Sequence, residues 1–130
     1  MMAAGQLKLL LNRWQPNKVA IDFVGHNFTG ATFKSQIRAY RDAPDPALVT
    51  LESATAGTQG ISVVVTTEDD IPTSTVTLQY DEATIEGLPF TNPKGTDLEL
   101  DWDLTIDPTD SDKLRWLEGP CIIHGGSTQI

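Results

Sequence analysis

Between Asp97 and Ile106 the chain reads Asp-Leu-Glu-Leu-Asp-Trp-Asp-Leu-Thr-Ile, with a large apolar residue at every even position and an acid or Thr at every odd one. A period of two gives a strand one dry face and one wet face, whereas a helix would spread the same apolar side chains around its circumference. Such a strand needs a second layer over its dry face, so it predicts an antiparallel sheet packed on a core. Leu98, Leu100, Trp102, Leu104 and Ile106 belong to that core. Asp97, Glu99, Asp101 and Asp103 form an acidic stripe on the wet side.

Further strands are legible from the same alternation and from the turn residues that interrupt it. Lys8 to Gln15 reads as a first strand, stopped by Pro16-Asn17. Lys18 to Val24 follows, with Val19, Ile21 and Phe23 on one face. Ala31 to Tyr40 puts Ala31, Phe33, Ser35 and Ile37 inward, and Lys34 and Arg38 outward. The prolines of Asp42-Ala43-Pro44-Asp45-Pro46 cannot donate to a ladder and break the chain there. Short runs at Ala47 to Leu51, Ile61 to Thr67, Thr73 to Tyr80 and Lys113 to His124 complete the set. A single helical turn is expected after Asp81, which can cap the amides of Ala83 or Thr84 before Gly87 and Pro89 end it. Eight short strands at regular spacing predict an all-β fold, an immunoglobulin-like antiparallel β-sandwich in preference to a small barrel. The sandwich is expected over residues 7–125, with a flexible N-terminal arm over 1–6 and a C-terminal tail over 126–130.

At 130 residues the chain makes about one domain. Eighteen acids against nine bases give a net charge of −9, which argues against a grip on phosphate backbones. Nucleic acid is therefore not an expected partner, and the acidity reads first as a solubility device. The lone Cys121 leaves no intrachain disulfide, and Leu7 to Leu11 is too short an apolar run for a membrane span or a signal core. A soluble protein made in a cytoplasm is the expectation.

The side chains offer little catalytic chemistry. Asp107, Asp110 and Asp112 share a loop, but their spacing lacks the alternating ligands, the Gly and the closing Glu of a calcium-binding EF-hand loop. His26, His124 and one cysteine fall short of a tetrahedral zinc set. No Gly-x-Ser-x-Gly elbow is present, and Cys121 sits in a strand rather than at a helix N-terminus that would activate a thiol. No enzyme, cofactor or metal is expected. The candidate interaction surface is the acidic stripe of Asp97, Glu99, Asp101 and Asp103, together with Trp14 and Trp116, whose faces the pattern leaves unassigned. Like charges along one face repel unless a neighbouring strand answers them. Lys34 and Arg38 are the expected answer, on a strand paired directly with the stripe.

Phe28-Thr29-Gly30-Ala31-Thr32-Phe33-Lys34-Ser35-Gln36-Ile37-Arg38 resembles a run in small β-sandwich domains of tailed bacteriophages. Those domains include the N-terminal domain of the lactococcal phage upper baseplate protein, and others stand alone as small virion proteins. Glu82 to Pro89 looks like the family's one-turn crossover, and Leu114 to Gly119 looks like its final strand. The longer relatives continue into a fibre, helical or host-binding region, whereas this sequence shows no heptads and no collagen-like repeat. The resemblance implies a non-enzymatic virion structural protein: a tail, baseplate or fibre-attachment connector. Its expected partners are other virion subunits of tail, baseplate, fibre or capsid, in a homo- or hetero-oligomer, with no nucleic acid and no membrane. Alternatives are a capsid decoration protein and a carbohydrate- or ligand-binding module.

Overall fold

The computed structural model describes residues 4–127. In chain order the elements are β1 (Gly5–Gln6), β2 (Leu9–Asn12), β3 (Asn17–Val24), β4 (Thr32–Arg38), β5 (Val49–Glu52), β6 (Gly60–Glu68), β7 (Ile71–Tyr80), α1 (Glu82–Glu86), β8 (Leu98–Asp107) and β9 (Leu114–His124). One sheet runs β1-β9-β8-β4-β5, with β2 also beside β9, and a smaller one runs β3-β7-β6. In immunoglobulin terms β9-β8-β4-β5 is the G-F-C-C′ sheet and β3-β7-β6 the B-E-D sheet. The fold is an all-β, immunoglobulin-like sandwich, as the strand spacing predicts.

The core lies where the alternation of β8 puts it. Trp102 is 1% exposed and Leu104 and Ile106 0%, while the acids between them stay on the other face. Phe33 and Ile37 on β4, and Val76, Leu78 and Tyr80 on β7, close over them. Two serines enter the core because their hydroxyls are bonded. Ser35 donates to the Asp103 carbonyl (2.6 Å), and Ser74 donates to the His26 carbonyl (2.8 Å) while accepting from the Phe28 N–H (2.9 Å). The β6–β7 hairpin turns on Asp69 and Asp70, with φ of 52° and 63°. Positive φ at both central residues is the two-residue turn whose twist matches its strands.

The N-terminal region departs from expectation. Gly5 and Gln6, expected in a flexible arm, pair in parallel with Leu117 and Glu118. β2 pairs in parallel with Cys121–His124, and the expected strand to Gln15 ends at Asn12. A purely antiparallel sandwich fails here because the chain enters beside its last strand before crossing to the smaller sheet. Between β1 and β2 the backbone runs across Gly119, where a Cβ would overlap the Leu7 carbonyl oxygen. That same oxygen accepts the Trp102 indole N–H at 2.9 Å. Residues 1–3 of the expected arm and 128–130 of the expected tail lie outside the described residues.

The helical turn forms where expected, but the Asp81 side chain makes no capping bond. The Thr84 N–H is met instead by the Asp81 backbone carbonyl (3.1 Å), and Gln59 Oε1 ties the turn down by accepting from the Asp81 N–H (2.8 Å) and the Thr84 hydroxyl (2.6 Å).

Candidate functional site

The outward side chains of β4, β8 and β9 line a cleft of about 370 Å³ with the loop after β4. A β-bulge builds part of it. Leu104 is paired with Leu117 but Thr105 with Arg115, so Trp116 is an extra residue between two ladder steps. Trp116 thereby packs against the core, and Arg115 swings to the outer face. There its Nε lies 3.4 Å from Asp103 Oδ2 and its Nη1 3.9 Å from Glu118 Oε1. Arg41, from the loop after β4, closes on the other Glu118 oxygen at 2.6 Å. The Glu118 side chain is only 14% exposed, so these guanidiniums hold a half-desolvated acid in place.

The bases that answer the acidic stripe are therefore not the ones expected. β4 and β8 do pair directly, with Gln36 opposite Asp103 and Arg38 opposite Asp101. Lys34, however, stands opposite Thr105, beyond the acids, and its ammonium reaches Glu52 on β5 at 4.0 Å. Arg38 turns away to Asp45 (2.7 Å), the Ala43 carbonyl (2.9 Å) and Gln36 Oε1 (2.9 Å). The loop after β4 captures Arg38, because its acid and carbonyl offer a guanidinium several acceptors at once. Burial pushes the carboxyls of Asp101 and Asp103 above the usual carboxylate range, against the pull of Arg41 on the first and Arg115 on both. Asp101 has no ion pair of its own among the described residues.

The rest of the expected surface is dispersed. Glu99 is exposed beside the cleft, and Asp97 lies at the far end of β8, where its Oδ1 is 2.9 Å from His124 Nδ1. Asp97 shares that end with Trp14, in a second cleft of about 570 Å³ that also exposes Asn92, Lys94 and Thr96. Trp14 is not on a strand: it occupies the turn after β2 at φ 68°, an unusual conformation for a bulky residue. The Arg13 guanidinium sits 4.4 Å from the Trp14 ring and 3.8 Å from that of Phe90. Arg13 also donates to Glu86 through Nε (3.0 Å) and Nη2 (2.5 Å), and the Trp14 N–H donates to the other carboxylate oxygen at 3.1 Å. Burial alone would raise the Glu86 carboxyl; the bonds from Arg13 and Trp14 overcome it and hold the group below its ordinary value.

Trp116 lies at the opposite end, half-buried in an aromatic cluster. Its ring meets His26, Phe28 and Phe23 edge-on, with centroids 4.8, 5.2 and 5.8 Å away. That is a packing role rather than an open platform. Among the described residues no three His, Cys, Asp or Glu side chains converge as a metal ion requires. Cys121 is buried, and burial pushes its thiol up to about 12. No protein-family model matches the chain, and no curated protein matches it in sequence.

Proposed function

We propose that this protein is a non-enzymatic structural subunit that works by protein–protein assembly. On the resemblance of Phe28–Arg38, Glu82–Pro89 and Leu114–Gly119 to tailed-phage sandwich domains, its place is the virion, in the tail, baseplate or fibre-attachment region. The observation that carries an assembly role is the cleft over β4, β8 and β9. Arg41, Glu118, Arg115 and Asp103 hold one another in register around Asp101, whose carboxylate keeps no ion pair. Charges fixed in this way favour one complementary neighbour and penalise others, which suits a surface that must seat one subunit.

Locating the protein on purified particles is the direct test. It is expected on the tail or baseplate; location on the head would make it a decoration protein, and absence from particles would overturn the assignment. Asp101→Asn tests the cleft with little change of volume. Because burial penalises the charged Asp101 carboxyl, the variant is expected to melt no lower than the parent, and higher if anything at neutral pH, yet to incorporate poorly into particles, and full incorporation would count against the cleft.

One observation favours a second reading as a carbohydrate- or ligand-binding module. Trp14 is half-exposed in a groove beside Asn92, Asp97 and His124, the pairing of an aromatic face with polar groups that sugar rings require. Titration with a glycan panel, with Trp14→Ala as control, separates this reading from assembly.

A further inference from the structure

The smaller sheet ends on β3, eight residues long, with nothing beside it among the described residues. In an immunoglobulin sandwich that place belongs to strand A. Here the N-terminal strands lie instead beside β9. The consequence shows in the side chains: Val19, Ile21 and Phe23 face the core but remain half-buried, whereas Ser74, Val76, Leu78 and Tyr80 on the adjacent β7 are 0% exposed.

The free backbone groups can be assigned. One step past the Val24–Thr73 pair, the Gly25 N–H donates to the Pro72 carbonyl at 2.7 Å. Bonded and non-bonded pairs alternate in an antiparallel ladder, so the odd residues of β3 bond to β7. Lys18, Ala20, Asp22 and Val24 then direct N–H and C=O outward from the edge, and all four residues are exposed. The other edge of this sheet is not equally open, since the Ala54 N–H donates to the Ile61 carbonyl at the start of β6 (2.9 Å). β6 also runs into the acidic turn Glu68-Asp69-Asp70.

We propose that a second copy of this chain pairs with β3, antiparallel across a two-fold axis at Ala20, joining the two three-stranded sheets into one. The charge pattern selects this register. With Ala20 opposite its own counterpart, Lys18 of each copy stands opposite Asp22 of the other, twice by symmetry. A slip of two residues in either direction removes both charge pairs, and a slip of four sets Lys18 against Lys18 or Asp22 against Asp22. Asp22 is already oriented, because one of its oxygens accepts the Thr75 hydroxyl at 2.6 Å. Pro16, lacking an N–H, ends the ladder where Val24 would meet it. A lysine on an edge strand ordinarily guards against pairing. Here an acid four residues on, on the same face, makes the edge complementary to itself. The pairing covers the half-buried row of Val19, Ile21 and Phe23, and it does not depend on the virion assignment.

Sedimentation velocity of the full chain over a range of concentrations is the test. A monomer–dimer equilibrium is expected. Lys18→Asp or Asp22→Lys alone opposes like charges at two places and should weaken dimerisation about tenfold or more. The double variant Lys18→Asp/Asp22→Lys restores it. Ala20→Cys should oxidise to a cross-linked dimer, since hydrogen-bonded partners stand about 5.5 Å apart at Cα, within disulfide reach. Val24→Cys, far from its symmetry mate in this register, should not cross-link. A chain that stays monomeric at every concentration, or a dimer indifferent to both single reversals, overturns the proposal.

Discussion

Tyr80 is the residue most at odds with its surroundings. It is 0% exposed, and its hydroxyl has no hydrogen-bond partner among the described residues. The neighbouring Ser35 hydroxyl donates to the Asp103 carbonyl and so gives the phenol oxygen no proton. Burial, with Cys121 close by, holds the phenol well above its ordinary pKa. An unpaired buried hydroxyl costs about 1–3 kcal/mol, so Tyr80→Phe should stabilise the protein by about 1 kcal/mol in urea unfolding. A loss of stability would show that the hydroxyl is bonded. Asp103 carries a related penalty with a pH signature. Its carboxyl is raised in the folded state, so between the unfolded and folded values the native protein binds more protons and stability falls as pH rises. Above that window the penalty is fully present, at neutral pH included. Asp103→Asn should therefore melt higher than the parent at neutral pH, with the gap closing in acid once the parent's carboxyl is protonated in both states. Glu86 has the opposite sign: its lowered carboxyl contributes stability above the unfolded value, lost as pH falls through the folded one. A gap that widened in acid would overturn the assignment to Asp103.

At the scale of elements, Gly119 decides how the N-terminal strands sit. Gly119→Ala would push the Leu7 carbonyl off β9 and away from the Trp102 indole. Overpacking together with a lost hydrogen bond predicts a cost of about 2–4 kcal/mol. If β1 and β2 detach, the urea slope also falls, because less surface remains to expose. An unchanged midpoint would mean that the N-terminal strands are not held there. Strands with unbroken alternation, such as β8 and β4, were legible because each side chain declares its face. β9 was not, because the bulge at Trp116 puts Arg115 on the face where strict alternation would not. For the same reason the base that meets Asp103 could not be found from the pattern, and Lys34 and Arg38 were expected instead. Direct pairing of β4 with β8 was foreseeable; the capture of Arg38 by Asp45 and Ala43 depends on a loop conformation that no periodicity encodes. Gln59 is hidden likewise, acting on α1 from 22 residues away in sequence. The charged cleft was thus half readable: Asp101 and Asp103 from the alternation of β8, Glu118 and the arginines only from the fold.

Across the whole molecule, the two sheets end differently on the side where the chain begins. The larger one is finished by β1 and β2, and the smaller one is left open at β3. The finishing strands are part of the core, since Leu9 is 1% and Leu11 0% exposed, and Leu7 satisfies the Trp102 indole. Removing two buried leucines costs about 2–5 kcal/mol each, and a domain of this size has only about 5–15 kcal/mol in total. A chain beginning at Arg13 should then lack a cooperative melt, because it also strands the indole N–H and exposes the edge of β9. Supplying residues 4–12 as a separate peptide should restore the transition, the peptide re-forming the parallel ladder beside β9. A cooperative melt near the parent temperature in the chain lacking residues 1–12 would show that β2 lies on the sandwich without supporting it. The N-terminal segment would then be free to behave as the flexible arm that the sequence suggested. A peptide-dependent transition fixes it as a structural strand and leaves β3 as the edge open to a partner.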